Sequence, residues 1–218
     1  MREIFNQVAD PTKTPVMTVD EKGVRRWTLN GQVHRDDGPA LEYPDGTKVW
    51  QQFGMRHRTD GPAVEYANGD KIWMINDKNH REDGPAVESA LSVQWYMHGK
   101  LHRLDGPAVL YTAGTKEWWV NGERHRVGAP AVEHFEGSTE WWQKGVQHRE
   151  DGASVEWAGD EDLKQWHLNG QEMSETDHKA AVLALNQARA EQILMLALSM
   201  QRGTGEAVKA PSLAKFRK

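Results

Sequence analysis

Apolar and polar positions alternate in short runs along most of this chain, and the runs recur at a fixed period. The stretch from Trp50 to Lys71 reads WQQFGMRHRTDGPAVEYANGDK, and the one before it, from Trp27 to Lys48, reads WTLNGQVHRDDGPALEYPDGTK. Trp27, Trp50, Trp73, Trp95, Trp118, Trp141 and Trp166 set the register, so a unit of about 23 residues is stated six times and begun a seventh. Self-similarity at such a period specifies a repeat architecture, in which each unit buries its apolar side against its neighbours.

Within a unit, alternation predicts strands, and Gly, Asn and Pro predict their ends. A two-residue turn follows each Trp strand, as at Asn30-Gly31, Asn121-Gly122 and Asn169-Gly170. Asn-Gly accepts the positive φ that both central residues of a type I′ turn require, which makes the segment a tight hairpin. Seven positions after the first six tryptophans stand His34, His57, His80, His102, His125 and His148, followed by Arg35, Arg58, Arg81, Arg103, Arg126 and Arg149. Asp-Gly-Pro-Ala comes next, as at Asp37-Gly38-Pro39-Ala40, and breaks the strand because proline donates no ladder hydrogen bond. A short strand such as Ala63-Val64-Glu65-Tyr66 and a loop such as Ala67-Asn68-Gly69-Asp70 complete the unit. The predicted fold is mainly β, an elongated single-layer antiparallel β-meander of about six 23-residue repeats with a C-terminal α-helix.

The same alternation assigns two faces. Leu29, Ile75, Met97 and Val120 share the Trp face, which is expected to be buried, with stems such as Lys48 and Lys71 covering the indole edges. The opposite face carries the residue directly after each tryptophan: Thr28, Gln51, Met74, Tyr96, Trp119, Trp142 and His167.

Departures from the unit mark its limits. The third copy shortens its loop to Ser89-Ala90-Leu91-Ser92, the fifth has Gly128-Ala129 for Asp-Gly, and the sixth has Ala153 for Pro. Met173 stands where a seventh His would, and the array ends there. Ser174 and Asp177 then form a capping-box-like start, and residues 175–201, free of Gly and Pro, predict a helix capped by Gly203. The chain divides into an N-terminal cap strand (1–23), the repeat array (24–173), the helix (174–202) and a basic tail (203–218).

Composition narrows the function classes. The net charge of -5, with both signs interspersed, argues against a nucleic-acid coat, leaving only the basic tail for such contact. Absence of cysteine excludes disulfides and thiolate metal sites. No run reaches the ~20 apolar residues of a membrane span, and MREIFNQVADPTKTP lacks the apolar stretch of a secretory leader, so a cytoplasmic protein is expected.

The motif W-x-x-N-G-x-x-H-R-x-D-G-P-A followed by Y-x-x-G resembles a variant of the MORN repeat over residues 24–173. Its HR-x-DGPA form is similar to repeats of bacteriophage and large-virus proteins. The resemblance implies a twisted β-meander acting as a scaffold or docking surface, in a host cytoplasm or associated with a virion. Because Arg-x-Asp-Gly-Pro replaces the paired glycines of the family, lipid-head-group binding is not carried over.

The His-Arg-x-Asp cluster could suggest acid–base or metal chemistry, but an active site needs one constellation, and this one recurs in five complete copies with a sixth, at His125-Arg126, lacking only the Asp. The simpler reading is that these residues bind turn carbonyls and cap the Gly-Pro turn. Its chemical alternative is an anion or nucleotide ladder of Arg35, Arg58, Arg81, Arg103, Arg126 and Arg149. Glu42, Glu65, Glu88, Glu133 and Glu156 form a second ladder, read as partners of the Lys or Arg rows. Met74, Tyr96, Trp119 and Trp142 are the candidate protein interface, together with Leu194 and Leu198 of the apolar helix end ILMLALSM. The strip either faces a partner or lies under the helix. The functional expectation is a non-catalytic, protein-binding scaffold without cofactor or metal, docking on a host or virion protein; the alternative is an assembly protein that self-associates through residues 175–201.

Overall fold

The computed structural model describes residues 14–160 and 162–204. The remainder of the N-terminal segment and most of the basic tail lie outside the described residues. The described residues form one antiparallel sheet of sixteen strands in meander order, five separate two-stranded hairpins and one helix, Glu175–Thr204. Among the described residues no helix is long and apolar enough to cross a membrane.

Each unit contributes to both parts. In the second, Lys48–Val49 joins the large sheet, Trp50 turns the corner, and Gln51–Gln52 pairs with Met55–Arg56 in a hairpin. Val64–Glu65 then returns to the sheet between Lys48–Val49 and Lys71–Ile72. The hairpins turn where positive φ was required, with Asn30 at 54° and Gly31 at 80°. At the corner Trp50 N–H donates to Ala63 O at 2.8 Å and His57 N–H donates to Trp50 O at 3.1 Å. The alanine that accepts at this corner is wholly buried in five copies, as Ala40, Ala63, Ala86, Ala108 and Ala131.

The hairpins are joined across repeats. The second turn residue of each donates to an arm carbonyl of the preceding hairpin, as Gly54 to Val33 and Gly122 to Leu101, at 2.8 and 2.9 Å. Arginine backbone N–H groups donate across the same boundary, Arg58 to Met74 O and Arg103 to Trp119 O, both at 3.1 Å. A repeat therefore completes its backbone hydrogen bonds only with a neighbour on each side.

The core differs in part from the expected face, where Leu29 is buried but Ile75, Met97 and Val120 are only half-buried. All seven register tryptophans are half-buried, whereas Leu41, Val49, Ala63, Val64 and Met74 form a buried cluster on the side of the residue after Trp, with Val33 and Ile72 against it. In the sheet, Val49 lies opposite both Leu41 and Val64, so aliphatic groups from successive strands meet on that side. On the other side the same strands align Glu65 with Lys48 and Lys71. Alternation separates two faces, but only strand pairing decides which one gathers the apolar groups.

The N-terminal strand Val16–Val19 pairs with Arg25–Leu29 at one end of the sheet. At the other end the helix begins as its sequence indicates: Asp177 N–H donates to Ser174 Oγ at 3.1 Å and Ser174 Oγ donates to Asp177 Oδ2 at 2.7 Å. It continues through Gly203, the residue expected to cap it, to Thr204.

Candidate functional site

Three side-chain systems run along the array. The first is the arginine row. In the second copy the Arg58 guanidinium lies 4.0 Å from the Trp50 ring centre, Nε donates to Asp60 at 2.9 Å, and Nη1 donates to Pro62 O at 3.2 Å and Glu65 at 3.1 Å. Arg35, Arg81, Arg103, Arg126 and Arg149 stack on Trp27, Trp73, Trp95, Trp118 and Trp141 in the same way, at 3.7–4.2 Å. Each guanidinium lies close on this glycine: a Cβ on Gly61 would lie 2.8 Å from Arg58 Cζ and one on Gly152 2.6 Å from Arg149 Cζ, so a side chain there would displace the guanidinium. The fifth copy, with Ala129 at that place, takes another loop path through Gly128 at φ 73°.

This geometry gives each guanidinium a structural task. Nη1 donates within the repeat in all six copies and Nε in all but the fifth, and each guanidinium lies over an indole face. The aspartates beside the row are 78–84% exposed, so an approaching anion meets carboxylates first. Hydrogen bonds from Arg35, Arg58, Arg81 and Arg103 hold the carboxyls of Asp37, Asp60, Asp83 and Asp105 below their usual range, with Coulombic attraction to the same arginines adding to it.

The sign of the pH dependence follows. A carboxyl with a depressed folded-state pKa contributes stability above the unfolded value of about 4 and loses it as pH falls through the folded value. The melting-temperature difference between wild type and Asp83→Asn should therefore be constant above about pH 5 and close below about pH 4. Thermal melts at a series of pH values check this, and a gap that widens in acid would contradict it.

The second system is the histidine row, which joins repeats. Nδ1 of His34, His80, His102, His125 and His148 accepts from the backbone N–H of the first turn residue in the next copy: Phe53, His98, Asn121, Lys144 and Asn169, at 3.0–3.3 Å. An accepting Nδ1 places the ring proton on Nε2, which points at Asp36, Glu82 and Glu150 from His34, His80 and His148. His57 is the exception, with Nδ1 at 2.8 Å from Asn76 Oδ1.

The third system is the row after the tryptophans. Met74, expected at an interface, is only 4% exposed and belongs to the core. Tyr96, Trp119 and Trp142 are half-buried with their polar edges tied: Tyr96 Oη donates to Gln94 at 3.0 Å, and the indole N–H groups of Trp119 and Trp142 donate to Glu117 and Glu140 at 2.7 and 2.8 Å. The Arg124 guanidinium lies between the two indoles, 5.1 Å from Trp119 and 5.4 Å from Trp142. Its Nη2 is 3.5 Å from Glu117. Burial raises the phenol pKa values of Tyr96 and Tyr111, aided by Tyr111 beside Tyr96 and by Glu117 beside Tyr111.

Arg124, Glu117 and Glu140 were missed in the sequence reading, although a signal for the two glutamates was present. The residue before the register tryptophan changes from Val49 and Ile72 to Gln94, Glu117 and Glu140 where the residue after it becomes Tyr or Trp. The paired change supplies an acceptor for each new polar aromatic edge.

The helix does not cover this row. It docks on the end of the array through His178, whose Nε2 donates to Arg149 O at 2.6 Å and whose ring lies 5.2 Å from Trp166. Arg189 makes a two-pronged contact with Glu150 at 2.7 and 2.8 Å, and this hydrogen bond is the main cause that lowers the Glu150 pKa. From Asn186 to Met200 every residue is exposed, and Ile193, Leu194, Met195, Leu196, Leu198 and Met200 are 44–69% exposed. Leu194 and Leu198 thus lie on a projecting apolar arm. Neither the protein-family models nor the curated proteins compared with this chain give a match.

Proposed function

We propose that the chain is a non-catalytic repeat scaffold that docks a protein partner stoichiometrically, with the helix arm around Leu194 and Leu198 as main anchor and the edges of Tyr96, Trp119 and Trp142 as flanking contacts. The observation that carries this reading is the arm: six exposed apolar side chains occur within eight residues, beyond the last contact with the array. Exposed apolar groups gathered in this way mark interaction surfaces in soluble proteins. The recurrent His-Arg-Asp clusters support a structural task for that chemistry, since their polar atoms are engaged within and between repeats. The MORN-like, virus-type motif favours a bacterial protein as the partner, sequestered or inhibited in a host cytoplasm.

The test compares wild type with Leu194→Asp/Leu198→Asp in affinity capture from bacterial lysate, followed by a mass measurement of the eluted complex. One partner at fixed stoichiometry, lost from a double variant that keeps its melting temperature, supports the reading. Identical capture by both proteins would overturn it. The arm is apolar on every side, which favours self-association as a second reading, in which the chain is a component of an assembly. A purified wild-type protein measuring several chain masses without any partner would select that reading.

A further inference from the structure

The residue after the register tryptophan fills a slot between the large sheet and the hairpin row, and the copies fill it to different extents. In the fifth copy it is Trp119, beside Arg124 and hydrogen-bonded to Glu117. In the third it is Met74, buried in the core. In the second copy the position holds Gln51, whose side chain has no ring to insert. An open hollow of about 370 Å³ lies there, lined by the aliphatic Leu41, Val49 and Val64 together with Tyr43, Tyr66 and Arg56.

The register makes this cavity the counterpart of the Trp119 site. Gln51 lies opposite Arg56 as Trp119 lies opposite Arg124. Asp77 fixes Arg56, accepting from Nε at 2.7 Å. Arg124 has two indoles against its faces, whereas among the described residues no ring stacks on Arg56. Asp45, whose Oδ1 accepts from Thr47 N–H at 2.8 Å, also lines the cavity and offers its second carboxylate oxygen.

We propose that this slot in the second repeat is a binding site for one aromatic ring with a hydrogen-bonding edge, an indole or a phenol, supplied from outside the chain. The later repeats define the chemistry of the occupant, because they fill equivalent slots with Tyr96, Trp119 and Trp142. In the second repeat the ring rests on the aliphatic floor, one face meets the Arg56 guanidinium, and its N–H or O–H donates to Asp45. The slot is separate from the arm and from the later aromatic row, so its test is independent of partner docking.

The probe is free indole, measured by saturation-transfer NMR against the full chain. Wild type should transfer saturation to the indole ring. Gln51→Trp fills the slot from within, as the fifth and sixth copies do, and should weaken indole binding at least tenfold. Should that variant fail to fold, Gln51→Met decides, since the third copy buries Met74 at the same place. No transfer with wild type, or indole binding unchanged in the folded variants, would overturn the proposal.

Discussion

Arg81→Met should destabilise the array by roughly 2–4 kcal/mol, the combined scale of a desolvated cation–π contact and charge-assisted hydrogen bonds. The substitution keeps much of the aliphatic stem. It removes the guanidinium 4.1 Å from the Trp73 ring, the bond to Asp83 at 2.8 Å, and the bonds to Pro85 O and Glu88 at 3.2 and 2.9 Å. Pro85 O then loses a donor at a turn that has few substitutes. The third repeat lies in the middle of the array, so its loss breaks contacts on both sides. Arg126→Met should cost less, because Gly128 replaces the aspartate and, beside its stacking on Trp118, Arg126 makes hydrogen bonds only to Pro130 O and Glu133. Urea unfolding of the two variants checks the order, and equal losses would contradict the role assigned to the aspartate.

Trp119→Ala should cost about 2–4 kcal/mol, somewhat below the range for a fully buried tryptophan because this one is half-buried. The indole packs on Arg124 and gives its N–H to Glu117, whose side chain is only 11% exposed. Removing it leaves that carboxylate with Arg124 at 3.5 Å as its remaining partner and opens a void beside the guanidinium. Trp119→Phe retains most of the packing but loses the donor to a carboxylate, so it should cost roughly 1.5–3 kcal/mol, no more than the alanine variant. Unfolding curves of the pair separate packing from hydrogen bonding. A negligible loss in Trp119→Ala would show that the ring serves only as a surface contact.

Features are legible in the sequence where local chemistry leaves few alternatives. Asn-Gly at Asn30-Gly31 admits few backbone conformations other than the tight turn observed, and Ser174 with Asp177 starts the helix as capping requires. Asp-Gly-Pro located the loop that closes on the arginine. The pattern could not show that the guanidinium lies on the glycine, since that contact depends on where Arg58 folds back.

The aromatic row and the helix were harder to place. Met74 and Trp119 occupy the same register position, yet one is core and the other half-buried, because Val49 and Ile72 border the early slots while Glu117 and Glu140 border the later ones. Whether the helix lay over that row depended on its exit angle, which His178 and Arg189 fix through contacts with Arg149 and Glu150, 29 and 39 residues earlier in the chain.

The amino-acid sequence by itself determined the period, the turns, the mainly β class and the terminal helix, because each follows from backbone preferences within a few residues. Only the tertiary structure decided which side of the Trp strand is the core, that histidine Nδ1 accepts from the following repeat, and that the apolar end of the helix stands free. Alternation fixes which residues share a face but not its sign, and the sign is set by the side chains that neighbouring strands bring to it.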